Sequence, residues 1–404
     1  MENPLVAIAK NEDIKEAVKN AMNKIELPDL NGKSILLKPN CGRRTKPRIS
    51  VNTNPDVVEA VYNFLKARYQ ADFLIGDSPI VATNSSEAFE SSGFSDLLDD
   101  PGLKWIDLDA KDPVTLSVPN GDVIDNVRVS GYFNDVDYIV SIPVLKMHMH
   151  TGASLSFKNM KGLIYKRDKV KLHHLQAPEI VEKYVQDIPA VKELDIAIAD
   201  LSRVFTPHLA VIDASYTMEG LGPSSGNPVK MDTIIVSSDF LAADVAALSM
   251  VQPDWSISDV PHLKIISDRR KEHKIHSTAN IQFTPEDIDP FTRRIEAPPD
   301  SISIKYNNVR LIDVDSCSAC LSTVFTFLKD NRDFIDENFT QSEPLNLAIG
   351  KGISQDDLYG TTFLIGNCTS GCKDYGAFIK GCTPVQSVIK KEIEKFLSSR
   401  DARE

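Results

Sequence analysis

The sequence predicts an α/β protein: a mostly parallel sheet flanked by helices, with a smaller C-terminal α/β domain rich in cysteine. Three observations predict it. Short apolar runs alternate with amphipathic stretches, the strand–helix rhythm of a parallel sheet. The apolar runs end on polar residues and turn formers, as strands do at a sheet edge. Five of the six cysteines lie between residues 317 and 382, beyond a proline-rich break in that rhythm.

Taken in order, residues 34–37, 72–75, 138–142, 196–199, 209–212 and 233–236 read as strands. Residues 54–69 read as a helix, with Val57, Val58, Val61, Phe64 and Leu65 at helical spacing. Asn54 is its expected N-cap and Pro55 its first residue. A second helix covers 240–251, with Leu241, Val245 and Leu248 on one stripe. Prolines interrupt the pattern over 285–302, which gives a large domain at 1–290 and a cysteine-bearing domain at 303–398. In the latter, 309–314, 345–349 and 362–365 read as strands, and 321–335 and 384–398 as helices. A chain of 404 residues is expected to form two or three domains.

With 45 Lys plus Arg against 57 Asp plus Glu, the net charge is -12 and the pI about 5.2. That balance argues against nucleic acid as a partner, because phosphates need a basic face. It argues equally against an anionic membrane surface. No basic n-region or apolar h-region opens the sequence, and no run approaches the ~18 apolar residues of a membrane span. The expectation is a cytoplasmic protein whose clustered thiols serve a metal or chemistry rather than disulfides.

The strands of the large domain end on reactive groups: Lys38 and Asn40, Asp77, Lys146 and His148, Asp213, and Asp239. In an open parallel sheet, ligands bind outside the carboxyl ends of the strands. If these strands run parallel, Lys38, Asp77, Lys146, His148, Asp213 and Asp239 meet at one edge. There they can bind a small anionic molecule, hold a cation or move protons. The plainer alternative is that turns simply need polar residues. Three segments add candidates. Lys158, Asn159 and Lys161 precede Gly162 in a short basic stretch. His173 and His174 are adjacent, so at most one of them faces a site. Gly220, Gly222 and Gly226 lie in a loop able to form an anion-binding nest, without the Gly-Lys-Ser/Thr of a Walker loop.

The ordered set Leu-Lys38-Pro39-Asn40, Gly76-Asp77-Ser78-Pro79, Pro143-Val-Leu-Lys146-Met-His148, Lys158-Asn159-Met-Lys-Gly162, Asp213 with Glu219-Gly220-x-Gly222-Pro223 and Gly226, and Asp239-x-x-Ala-Ala243-Asp244 resembles the domain-of-unknown-function 362 family from about residue 30 to about 250. The resemblance implies an iron–sulfur-related protein with no settled activity. Many members carry a ferredoxin-type C-terminal module. This chain departs from them in having no Cys-x-x-Cys-x-x-Cys run.

Cys317-x-x-Cys320 and Cys368-x-x-x-Cys372 each follow a predicted strand, and Cys382 sits in a Gly-Cys-Thr-Pro turn. Four uses of these thiols stay open. A 4Fe–4S cluster takes four thiolates, and so does structural zinc. Cys320, expected at a helix N-terminus with a lowered pKa, could instead be a redox or nucleophilic thiol. Inert burial is the fourth. The fifth thiol favours the cluster, since zinc would leave one spare. Cys41 reads as a small turn residue. The sequence thus leads to an iron–sulfur protein of possible oxidoreductase type acting on a small anion, with a redox protein as a possible partner. Lys146, His148, Asp77 and Asp213 are the catalytic candidates. Lys38, Asn40, Lys158, Asn159, Gly220, Gly222 and Gly226 are the binding candidates, and Cys317, Cys320, Cys368, Cys372 and Cys382 the metal candidates. Its rivals are a zinc-stapled hydrolase, isomerase or ligase, and a metal- or cluster-maturation protein.

Overall fold

A computed structural model describes residues 3–80, 83–271, 274–299 and 305–401. The chain forms two compact units: Met1–Glu219 with Asn227–Ala297, and Gly220–Gly226 with Pro298–Glu404.

The strands of the first unit are β1 (Leu5–Lys10), β2 (Ser34–Pro39), β3 (Asp72–Asp77), β4 (Leu103–Asp107), β5 (Val114–Ser117), β6 (Asn126–Val129), β7 (Tyr138–Ile142), β8 (Val144–His148), β9 (Gly152–Ser154), β10 (Leu209–Glu219), β11 (Asn227–Ser237) and β12 (Gln282–Thr284). The main sheet runs β12-β1-β11-β10-β7-β2-β3-β4, with β8 and β9 attached beside β10. β10, β7, β2, β3 and β4 pair in parallel, and β1 pairs in parallel with β12. β11 is reversed, antiparallel to both β1 and β10, and β9 is reversed against β8.

Alternate residues of each strand face opposite sides. Leu36, Ile139, Ala210, Ile212 and Ile235 enter one core, and Ile35, Leu37, Val140, Val211 and Ile234 the other. Both faces are therefore covered, which is why these strands read as continuous apolar runs. The helix expected at 54–69 forms as Pro55–Lys66, and the Asn54 side chain accepts from Asp56 N at 3.1 Å.

Two expectations are corrected. Residues 196–199 are not a strand but part of the helix Glu193–Leu201, where Asp195 Oδ2 accepts from Lys192 N at 3.2 Å at the first turn. That helix is buried on every side, so its short apolar run has no period to separate it from a strand. Asp239 does not join the other strand-end residues. The 220–226 connection is too short for a crossover, so β11 returns antiparallel and delivers Asp239 to the opposite edge. There Asp239 caps the helix Phe240–Val251 and pairs with Arg270 at 2.8 Å.

The second unit holds β13 (Val309–Asp313), β14 (Leu345–Ile349), β15 (Thr362–Ile365) and β16 (Ala377–Ile379), all parallel and in sequence order. The predicted helix 321–335 is two helices, Ser318–Asp330 and Arg332–Asn338. Asn331 breaks it by turning its side-chain amide onto Phe327 O at 2.9 Å. Gln386–Asp401 closes the unit. Among the described residues, no helix is long and apolar enough to cross a membrane.

Candidate functional site

β2 and β3 are parallel neighbours, so Lys38 and Asp77 emerge side by side at their carboxyl ends. Lys38 Nζ donates to Asp77 Oδ1 at 2.7 Å, and both side chains are buried. The second carboxylate oxygen accepts from Cys41 N at 2.8 Å, and Oδ1 also takes Ser78 N at 2.9 Å. Asn159 donates to Lys38 O at 2.9 Å and to Ser141 Oγ at 3.0 Å. This pair is fully engaged: it fixes the turns after β2 and β3 rather than offering a charge to a ligand.

β8 carries Lys146 and His148 on one face, with Met147 between them in the core. Lys146 Nζ donates to Asn40 Oδ1 at 2.6 Å and to Val51 O at 2.8 Å, two neutral acceptors. Burial, seconded by the charge of Arg43, lowers its pKa to about 7, with Asp77 opposing. The segment carrying Val51 is held by Thr53, which accepts from Asn40 N at 2.8 Å and donates to Ile142 O at 2.6 Å. His148 Nδ1 accepts from His150 N at 3.2 Å and lies 3.4 Å from Thr151 N, so the neutral ring carries its proton on Nε2. Burial, then the charges of Lys158 and His150, push its pKa well down.

The third contributor is the short helix Ser156–Asn159 and the turn after it. Buried Asp244 accepts from Ser156 N at 2.8 Å and Phe157 N at 3.1 Å, fixing the direction in which Lys158 and Asn159 leave the backbone. Burial raises Asp244 to about 7. Lys158 is pushed well down by burial and by Lys161 and Lys146, and Lys161 falls to about 8 through burial and Lys169. Lys161 Nζ lies 3.3 Å from His173 Nε2. A side chain at Gly162 would land on Asp77 and Lys38, so only glycine lets this turn approach the buried pair.

Among the described residues, Lys146, Lys158 and Lys161 have no carboxylate within ion-pair distance. Lys169, by contrast, is paired with Asp109 at 3.8 Å and bonded to Ser78. The arrangement is a group of amines and imidazoles, buried at Lys146, His148 and His150 and half-buried at Lys158, Lys161 and His173. That environment attracts an anion and makes proton transfer at an amine feasible near neutral pH.

Other candidates fall elsewhere. Asp213 accepts from Asn54 N at 2.8 Å, Ser215 N at 2.9 Å and Ser215 Oγ at 2.6 Å, and burial raises it to about 6. It ties β10 to the start of the helix Pro55–Lys66 and is a positioning group. Gly220, Gly222 and Gly226, expected with the lysines, belong to the second unit. There Ser225 Oγ lies 2.7 Å from Thr326 Oγ1, and Lys329 donates to Ser225 O at 3.2 Å. Cys41 is buried beside Ser92, and burial pushes its thiol up to about 12, so it is inert.

In the second unit, Cys317, Cys368 and Cys382 follow β13, β15 and β16, and the all-parallel sheet brings them to one edge. Asn367 N donates to Gly381 O at 2.7 Å and Gly381 N to Asn367 Oδ1 at 3.0 Å, locking the Cys368 and Cys382 turns together. Gly366 has φ 95°, and a Cβ there would stand 3.3 Å from Cys320 Sγ. Cys320 thus lies against the Cys368 turn. The lowered pKa expected for Cys320 is reversed: the neighbouring Cys317 thiol, burial and Cys368 push it up. Cys317 and Cys382 likewise raise Cys368, after burial. Cys372 departs from this group. Its thiol is buried with Ala348 and Leu364 and donates to Ile353 O at 3.5 Å. Among the described residues, no three His, Cys, Asp or Glu donors are gathered as a ready ligand set for a metal ion.

Sequence reasoning missed Arg43, His150, Asp195 and His262. His150 could have been suspected from its place two residues after His148, in the turn that follows β8. Asp195 and His262, fully buried with Oδ1 and Nδ1 3.6 Å apart, come from two helices and share no sequence signal.

A family described as a domain of unknown function (DUF362) matches residues 35–249. A thylakoid-associated protein of Synechocystis sp. is 24% identical over 223 residues, 55% of this chain and 64% of that protein. The chain therefore spans less than two thirds of that relative's length. Among solved structures, the lactate racemase apoprotein from Thermoanaerobacterium thermosaccharolyticum aligns with a TM-score of 0.39 and 14% identity, over 61% of this chain and 56% of that one. A Thermotoga maritima protein aligns at 0.35 and 15%, over 59% of each chain.

Proposed function

The chain belongs to the family described as domain of unknown function 362, and we propose that it is a cytoplasmic iron–sulfur enzyme of oxidoreductase type acting on a small anionic substrate. The observation that carries the substrate half is the set of buried Lys146 and half-buried Lys158 and Lys161, with no carboxylate in ion-pair range among the described residues. An anion entering this set gains charge-assisted hydrogen bonds that the empty site lacks. Lys146, at about 7, is matched to giving and taking a proton at neutral pH. His148 supplies a neutral Nε2–H donor. Asp77, Lys38, Asn40 and Asn159 hold the turns that aim these groups, and Asp213 holds the strand beside them.

For the cofactor half, Cys317, Cys320, Cys368 and Cys382 fit a 4Fe–4S cluster and Cys372 does not. The four share one sheet edge, and Cys317, Cys320 and Cys382 each come within electrostatic range of Cys368 or of one another. Tetrahedral zinc at a Zn–S distance of about 2.3 Å would need sulfurs about 3.8 Å apart. A cubane holds its four thiolates farther apart, at its corners, and both groups take four thiolates, so acid-labile sulfide is what separates them. When bound, a cluster supplies or accepts an electron, and a redox protein partner would complete the transfer.

Two measurements test this. Anoxically purified protein should contain iron and acid-labile sulfide. The Cys372→Ser variant should keep both and Cys320→Ser should lose both. Zinc without sulfide would replace this reading with a zinc-stapled, non-redox enzyme. Separately, small anions should raise the thermal midpoint of the wild type and not of Lys146→Met.

A further inference from the structure

We infer that Lys146 acts as a nucleophile, its amine condensing with the carbonyl group of a small keto or aldehyde acid to form an imine. The inference rests on the small-anion reading of that site and deepens it, since it names the anion as a carbonyl acid.

Three lysines differ in what their nitrogens touch. Lys38 Nζ donates to the Asp77 carboxylate at 2.7 Å, and Lys169 Nζ lies 3.8 Å from Asp109. A neighbouring carboxylate favours the ammonium form, which has no lone pair to offer. Lys146 is held differently. Its acceptors among the described residues are Asn40 Oδ1 at 2.6 Å and Val51 O at 2.8 Å, both neutral. An ammonium has three N–H groups, and in this buried position one of them would lack an acceptor. A neutral amine has two, which these two oxygens match, and its lone pair remains for a carbonyl carbon. Burial and the charge of Arg43 act in the same direction, lowering the lysine to about 7.

The two acceptors are themselves fixed. Thr53 accepts from Asn40 N at 2.8 Å and donates to Ile142 O at 2.6 Å, tying their loop to β7. Asn52 accepts from Gly42 N at 3.1 Å and donates to Arg43 O at 2.6 Å, closing the same loop. The amine is therefore positioned before any substrate arrives. Lys146 keeps 6% of its surface exposed and Asn40 is half-buried, so the nitrogen lies under a thin cover. In the reaction the lone pair forms a C–N bond as the carbonyl π pair moves to oxygen. The two amine hydrogens then leave with that oxygen as water, and a C=N bond remains. Nothing is oxidised or reduced, and no other reactant is consumed. Once protonated, the imine keeps one N–H, which Asn40 Oδ1 or Val51 O can accept.

The test is reductive trapping on the full chain near neutral pH, with pyruvate as the keto acid, glyoxylate as the aldehyde acid and cyanoborohydride as the reductant. Peptide mass spectrometry then locates the adduct, whose added mass is that of the probe acid less one oxygen atom. With at least one probe, Lys146 should be labelled at least about tenfold more than any exposed lysine. Lys38, buried but paired with Asp77, should stay unlabelled. Lys146→Arg, shown to be folded by circular dichroism, should lose this adduct and keep the background labelling of exposed lysines. The peptide map of the wild type decides the matter even if that variant does not fold. If both probes raise the thermal midpoint yet label Lys146 no more than the exposed lysines, this inference is overturned and the small-anion reading stands. If neither probe labels Lys146 or shifts the midpoint, both are overturned.

Discussion

Burial of Lys146 against Asn40 and Val51 lowers its pKa to about 7, and the direction of that shift fixes two pH effects. Above pH 7 the empty site loses this charge, so an anion must bring a proton with it. Anion affinity should therefore be highest below pH 7 and fall by up to about tenfold per pH unit above it. Proton uptake in calorimetry, run in two buffers of different ionisation enthalpy, checks this. For stability, the unfolded lysine keeps its proton to about pH 10.4. Between pH 7 and 10 the unfolded chain thus holds more protons than the folded one, and stability from this residue rises with pH. Lys146→Met should then stabilise the protein more at pH 6 than at pH 9 in urea titrations, while abolishing anion binding. The opposite holds for Lys38. Lys38→Met leaves Asp77 charged and buried, and should cost about 3–5 kcal/mol in the same titrations. Both lysines follow an apolar strand in the sequence, yet one is paired and one is not. Sequence position could nominate them but could not tell which charge remains available.

The elements that carry the site are short and are aimed by groups outside them. The helix Ser156–Asn159 has four residues, too few to stand by itself, and Asp244 on the helix Phe240–Val251 supplies its missing cap acceptors. Asp244→Ala leaves Ser156 N and Phe157 N buried without these acceptors. It should cost about 1–3 kcal/mol in denaturant titrations and weaken anion binding through Lys158. Gly162→Ala would force a methyl group onto the Lys38–Asp77 pair and should cost about 1–3 kcal/mol, again with loss of anion binding. The sequence marked both positions, in the Lys158–Gly162 stretch and in the Asp239–Asp244 motif, but not why they matter. The helix Glu193–Leu201 shows the converse. Its residues 196–199 read as a strand because full burial erased the polar face that marks a surface helix.

Over the whole molecule, both parallel sheets were legible, because apolar runs separated by helical stretches leave few other topologies. Parallel pairing explains why Lys38, Asp77 and Lys146 gather in the first unit, and why Cys317, Cys368 and Cys382 gather in the second. The reversal of β11 was not legible, and it carried Asp239 to the far edge. By itself the sequence determined the alternating architecture, the strand-end residues and the five clustered thiols, since each is a matter of local pattern and spacing. Only the tertiary structure decided which lysines lack a counter-charge, that Gly220–Gly226 belongs with the second unit, and that Cys372 turns into the core while its four neighbours share an edge. Those outcomes depend on distances between residues remote in sequence, and charge compensation and burial are properties of such distances.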